Sequence, residues 1–201
     1  MKILLTAFDA FGGETVNPAL EAVNRVSAPE GVELVKMTLP TVFNRCLRLV
    51  SVAIERERPD AVVSVGLSGA AAAVTPERIA VNLMDCTKAD NEGQTFEDEP
   101  IVDGADNALF STLPVKKMAE AIREAGVPSQ LSNSAGTFVC NQLMYGELLL
   151  CARRYPHTQA GFIHVPFLPE QAEGRPQRHS LPLDSIVTGL EAALRAIAEQ
   201  K

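Results

Sequence analysis

The chain has no tryptophan, only two tyrosines and three histidines in 201 residues. A histidine base must therefore be His157, His164 or His179. Basic residues are in deficit, 18 Lys and Arg against 25 Asp and Glu, for a formal charge of −7. That balance argues against a nucleic-acid surface or an anionic membrane as partner, and no basic stripe offsets it. No apolar run approaches the ~18 residues needed to span a bilayer. The run at Met1–Phe8 is too short for a signal peptide and no cleavage site follows it. No two of Cys46, Cys86, Cys140 and Cys151 have zinc-ribbon spacing, so no metal is expected. A cytoplasmic protein with four reduced thiols is the expectation. Gly12-Gly13 lacks both the G-x-G-x-x-G pattern and the lysine of a phosphate loop, which argues against a nucleotide cofactor. The acidic stretch 90–106 does not have the spacing of an EF-hand loop and reads as a solvated or subunit-contacting loop.

What is present reads as one globular domain over residues 1–201, with 46% hydrophobic and 21% charged residues. Apolar runs bounded by turn signals predict strands at 2–7, 32–38, 61–65 and 159–165. A partly alternating run predicts another at 78–85, and 129–133 is a further candidate. Helices are predicted at 18–26, capped by Asn17 with Pro18 in the first position, at 41–58, at 114–125, and from Cys140 to about 155. A last amphipathic helix over 183–199 places Ile186, Val187, Leu190, Leu194 and Ile197 on one face. Residues 86–106 read as a long surface excursion with room for a short hairpin, and 166–181 as a Pro-rich loop. Strands alternating with helices predict an α/β fold whose largely parallel sheet is covered on both faces.

Two features carry chemistry. Ser134-Ala135-Gly136 turns into Cys140 at the start of a helix. Unpaired N–H groups and the macrodipole there favour thiolate over thiol, and the same N–H groups can stabilise an oxyanion. An ordinary buried cysteine is the competing reading. His164 ends the apolar strand Gly161-Phe162-Ile163-His164-Val165 before Pro166, where sites gather in α/β sheets; a core histidine bonded to backbone is the alternative. His157 and His179 lie in polar turns and read as exposed. A carboxylate to orient His164 has three candidates, Glu77, Asp85 and Glu14, and spacing does not choose among them. Ser68, in Gly66-Leu67-Ser68-Gly69-Ala70, partly resembles a nucleophile elbow but lacks its last glycine and a clear following helix, so a tight turn explains it better.

Six motifs in order resemble the pyrrolidone carboxyl peptidases, also called pyroglutamyl peptidase I. They are Phe8-Asp9-Ala10-Phe11-Gly12-Gly13-Glu14 with Asn17-Pro18, Leu39-Pro40-Thr41-Val42-Phe43, Thr75-Pro76-Glu77-Arg78-Ile79-Ala80-Val81-Asn82, Asp90-Asn91-Glu92-Gly93, Ser132 through Asn141, and Gly161 through Pro166. The resemblance implies a phosphorylase/hydrolase-like three-layer α/β/α sandwich and a homotetramer. It also implies hydrolysis of N-terminal pyroglutamate from peptides by Cys140, His164 and Glu77, and so selects Glu77 over Asp85. Phe8, Phe11, Phe138 and Val139 are the implied substrate-pocket residues. The sequence departs from the family pattern at Ala7 and Ala10, for glycine and proline; at Leu67, for glutamine; at Ala71, for arginine; and at Cys86-Thr87-Lys88, for Ala-Arg-Ile. A non-catalytic homologue that only binds pyroglutamyl peptides or small lactams is the rival reading, beside a hydrolase using Ser68.

Overall fold

A computed structural model describes residues 1–200. Its centre is a five-stranded sheet in the order β2-β1-β3-β9-β4. Strands β1 (Lys2–Phe8), β2 (Glu33–Leu39), β3 (Ala61–Leu67) and β9 (Gln159–Val165) run parallel, and β4 (Thr75–Pro76) closes the edge antiparallel to β9. β3 is buried along its whole length, as a central parallel strand with both faces covered must be. One face packs on helices α1 (Pro18–Arg25), α3 (Val115–Glu124) and α6 (Leu183–Ala198), the other on α2 (Arg45–Glu57) and α4 (Val139–Arg154). This is the three-layer α/β/α arrangement.

Several elements fall where expected. Asn17 caps α1 by accepting from the Ala19 N–H at 3.0 Å. On α6, Ile186, Leu190, Leu194 and Ile197 are buried and Val187 half-buried. Gly126, past the end of α3, has φ of +80°, the left-handed turn that glycine enters without strain.

The stretch 75–110 differs from expectation. The strand predicted over 78–85 is broken into β5 (Ile79–Val81) and β6 (Met84–Cys86), each in its own two-stranded ribbon. β5 pairs with β8 (Ala108–Phe110), and β6 with β7 (Phe96–Glu99), which supplies the hairpin within the excursion. The break sits at Asn82, whose side chain donates to Val102 O and accepts from Val102 N–H, and so follows another segment. The predicted strand at 129–133 contributes only isolated bridges, Val74 with Ser129 and Glu77 with Ser132. Helix α2 begins at Arg45 rather than Thr41. Asp9 Oδ1 captures the Thr41 N–H at 2.7 Å and its hydroxyl at 2.8 Å, and Asn44 adopts a φ of +59° before the helix starts. The Pro-rich loop holds a one-turn helix, α5 (Pro169–Ala172).

The excursion is anchored by a buried carboxylate. Asp90 accepts from the N–H groups of Phe43, Glu92 and Gln94 and from Gln94 Nε2. Replacing it strands several donors with little access to water, at about 1–3 kcal/mol each where burial is complete. Asp90→Ala is expected to destabilise the protein by about 2–3 kcal/mol, read as a lower urea midpoint with an unchanged slope.

Candidate active site

From Val139 to Leu148 every residue of α4 is buried, between the sheet, α2 and the two small ribbons. A helix in that position cannot shift without moving the core. Its N-cap, Phe138, has no side-chain hydrogen bond to the first turn, so the opening N–H groups around Cys140 have no helical acceptor. Two amides fix this end of the helix. Asn141 accepts from Val81 N–H at 2.9 Å and donates to the carbonyls of Val81 and Leu83. Gln142 accepts from Asn44 N–H at 2.7 Å and donates to Asn44 Oδ1 and Met84 Sδ. Ahead of the helix, Thr137 Oγ1 donates to Asp85 O, and Asp85 N–H donates to Thr137 O. Sequence reasoning gave Asn141 and Gln142 no role. The signal available was two adjacent amides in the first turn of a helix, followed directly by apolar residues.

β9 supplies His164 and β4 delivers Glu77 beside it. Thr75 pairs with His164 and Pro76 with Ile163, and the Glu77 N–H then donates to Phe162 O at 2.9 Å. His164 Nδ1 donates to Glu77 Oε1 at 2.7 Å. Cys140, His164 and Glu77 are 9%, 6% and 2% exposed. Burial works against an imidazolium here, yet hydrogen bonds with Cys140 and Glu77, and their charges, outweigh it and raise the His164 pKa to about 10. Glu77 Oε2 is buried without a partner.

The sulfur of Cys140 rests against the backbone of β3. A β-carbon placed on Gly66 would lie 3.0 Å from Cys140 Sγ and 2.8 Å from Phe162 Cζ. Gly66 is in register with His164 on the neighbouring strand. Glycine is required there by close approach.

A cavity of about 690 Å³ opens over these residues at the C-terminal ends of β1, β3 and β9. Phe8, Phe11 and Phe138 line it, the last two with ring centres 6.2 Å apart. Val139 does not: it is fully buried in the core beneath, outside the lining. Ser68 also lines the cavity, with its backbone N–H donating to Val165 O, and no hydrogen bond joins its hydroxyl to His164. The other two candidate acids sit at the rim, away from His164. Asp85 is exposed, and Glu14 is bonded to Arg178 and Arg175, with Arg178 holding its carboxyl below the usual range. His157 and His179 are exposed. Of the sequence departures, Leu67, Cys86, Thr87 and Lys88 line the cavity, whereas Ala71 is buried outside its lining. Lys88 Nζ stands 4.4 Å over the Phe11 ring. Among the described residues no cluster of three or more His, Cys, Asp and Glu could hold a metal ion.

Residues 1–200 match the family model described as pyroglutamyl peptidase. The chain belongs to the pyroglutamyl peptidase family. It is 49% identical over 201 residues to a pyrrolidone-carboxylate peptidase of Lactobacillus johnsonii, covering 100% of this chain and 94% of that protein. A pyrrolidone-carboxylate peptidase of Levilactobacillus brevis is 52% identical over 198 residues, covering 98% and 97%. Among solved structures, pyroglutamyl peptidase I from Bacillus amyloliquefaciens superposes with a TM-score of 0.95 at 43% identity, covering 99% of this chain and 95% of that one. A mutant pyrrolidone carboxyl peptidase from Pyrococcus furiosus gives 0.94 at 37% identity, covering 100% and 99%. The fold expected from the sequence is thus that of the pyroglutamyl peptidase family.

Two outcomes follow from this geometry. Gly66→Ala is expected to displace Cys140 Sγ or Phe162 and lower kcat by about 100-fold, with the circular dichroism spectrum retained. Glu77→Gln is expected to lower the His164 pKa from about 10, measured by NMR titration of the imidazole. Because that pKa is raised on folding, its stabilising contribution is complete below about 6.5 and is lost as pH rises through about 10. The stability gap between wild type and Glu77→Gln is therefore widest below pH 6.5 and narrows toward pH 10.

Proposed function

We propose that Cys140, His164 and Glu77 form the catalytic triad of a cysteine peptidase that removes N-terminal pyroglutamate (5-oxoproline) from peptides. The observation that carries the assignment is a buried histidine, held at Nδ1 by Glu77, beside a cysteine at the uncapped start of a helix. His164 takes the proton given up by the Cys140 thiol, and its raised pKa favours the imidazolium that results. Cys140 attacks the pyroglutamyl carbonyl, and N–H groups at the start of α4 stabilise the oxyanion. His164 protonates the leaving amine as the tetrahedral intermediate collapses to a thioester. Water then adds to the thioester with His164 as base, releasing 5-oxoproline and the thiol. Glu77 orients the ring and stabilises its protonated form.

The acyl group is a small neutral lactam, which suits an apolar cavity with few polar anchors. Phe8, Phe11 and Phe138 supply that lining, and Val139 supports it from the core. We take residues 1–201 as one catalytic unit that needs no metal or cofactor. A nucleophile that must stay a free thiol suits the reducing cytoplasm. No helix among the described residues is long and apolar enough to cross a membrane. Leu49 and Val52 on α2, and Phe110 at 66% exposure, offer apolar surface for burial in a homotetramer.

Hydrolysis of a pyroglutamyl-amide reporter beside a prolyl-amide control tests the assignment. Wild type is expected to release the reporter group from the pyroglutamyl substrate alone, and Cys140→Ser to lose about 10³-fold or more. Activity surviving in Cys140→Ser would move the nucleophile to Ser68. Tight 5-oxoproline binding by folded, reduced wild type without turnover would mark a binding protein instead.

A further inference from the structure

Glu147 lies on α4 and takes no part in the chemistry above, yet it is a fully buried carboxyl in the core. Ser64 Oγ donates to its Oε1 at 2.6 Å, and Ser64 Oγ also shares a hydrogen bond of 2.8 Å with Thr6 Oγ1. Thr6 and Ser64 are register partners on β1 and β3, so the chain runs from one strand across the next to the helix. Glu147 Oε2 has no partner, and no lysine, arginine or histidine lies within ion-pair distance among the described residues. Such a group is costly to bury, and an apolar residue of similar size would cost less.

Its position relative to the nucleophile gives it a use. Cys140 and Glu147 are two helical turns apart and project from the same face of α4. Ser64 and Gly66 are alternate residues of β3 and share the face turned to α4. Glu147 meets Ser64, and Cys140 Sγ meets Gly66 beside His164. Two contacts therefore index the helix along one strand. The apolar contacts around them, from Leu143, Met144 and Leu148, hold the helix in the core but have no direction of their own.

We propose that Glu147 is a positioning residue for Cys140, fixing through Ser64 where the nucleophile's helix stands along β3. The proposal rests on the assignment of Cys140 and His164 above. Burial, only partly offset by the Ser64 hydrogen bond, raises the Glu147 pKa to about 8, so the pin is an uncharged acid at neutral pH. The groups around it are Thr6 on β1, Ser64 on β3, Cys46 on α2 and Cys151 on α4. Burial and the nearby carboxyl push both thiols up, Cys151 to about 12, so neither ionises with Glu147. Ser64 donates to Glu147 Oε1, and an ionised carboxylate accepts that bond at least as well, so the pin holds in either protonation state.

Stability and activity then move in opposite directions, which a merely structural residue would not produce. A carboxyl raised from 4.5 to about 8 costs the folded state progressively more between those values and a constant amount above them. Glu147→Leu is expected to gain thermal stability relative to wild type as pH rises from 4.5 to 8. Its kcat at pH 7 is expected to fall about tenfold with KM within about twofold, since the sulfur is less well placed. Glu147→Gln, which keeps an acceptor for Ser64, is expected to restore most of kcat.

The experiment is kcat and KM at pH 7 on the pyroglutamyl reporter, and the thermal midpoint between pH 4.5 and 8, for wild type, Glu147→Leu, Glu147→Gln and Ser64→Ala, with Cys140→Ser in parallel. Wild-type kcat in folded Glu147→Leu would overturn the proposal. If that variant does not fold, Ser64→Ala removes the donor instead: unchanged kcat in folded Ser64→Ala overturns the proposal, and a fall of about tenfold with KM kept supports it. Retained activity in Cys140→Ser would instead overturn the assignment beneath it.

Discussion

The hydrogen bond from His164 Nδ1 to Glu77 Oε1 is shut away from water, and the rest of the site depends on its staying closed. Desolvating an ion costs several kcal/mol after relaxation, and an attraction recovers this only when geometry is well held. Here one carboxylate oxygen is left without a partner, so the pair does not satisfy itself. Its geometry must be imposed by the backbone. Pairing of Thr75-Pro76 with β9 does this from one side, and the hydrogen bonds linking Pro76 and Arg78 to Ser132 do so from the other. The short antiparallel edge strand is therefore an arm that carries an acid to a histidine.

The nucleophile is held by a different device. Its helix is surrounded by protein from Val139 to Leu148, so that stretch cannot be amphipathic in the usual way. Orientation about the helix axis comes from directional contacts instead: Asn141 and Gln142 at one end, Glu147 further along. Asn141 and Gln142 satisfy backbone groups that would be stranded without them, whereas Glu147 leaves one oxygen without a partner. Phe162 joins the two halves of the site, since its ring packs on His164 at 4.8 Å and its edge limits Gly66. Strand register between β3 and β9 thus sets the distance from base to nucleophile.

How much of this was legible in the sequence follows from the range of the contacts involved. β1, β3, β9, α1 and α6 are written in local patterns, apolar runs or a 3.6-residue period with a cap, and they are found where those patterns place them. Residues 75–110 are different. Their ribbons are chosen by partners tens of residues away, Asn82 with Val102 and Asp90 with Phe43, and a strand broken by a side-chain hydrogen bond looks continuous in one dimension. The same limit applied at the site. Cys140 and His164 stood out through their places at a helix start and a strand end. Glu77 did not, because an acid after a Thr-Pro pair resembles any solvated turn until β4 is seen to pair with β9. Glu147, among leucines on a helix, resembled a charged position on an exposed face.

On the proposed reading, floor and mouth of the cavity have separate tasks. The pyroglutamyl ring ends the peptide, so it enters first and everything after the scissile bond must leave by the opening. The floor carries Cys140, His164, Phe8 and Leu67, all buried. The opening carries Gly69, Ala70, Thr87 and Lys88, all exposed. Buried apolar contacts discriminate strongly and ignore salt, whereas charges in water contribute little and are screened. Thr87 and Lys88 lie where the chain beyond pyroglutamate leaves, and the Lys88 charge there is screened by salt. Leu67 is the departure that reaches the floor. A leucine there puts apolar wall where a side-chain amide would stand, so ring shape weighs more in what the floor accepts.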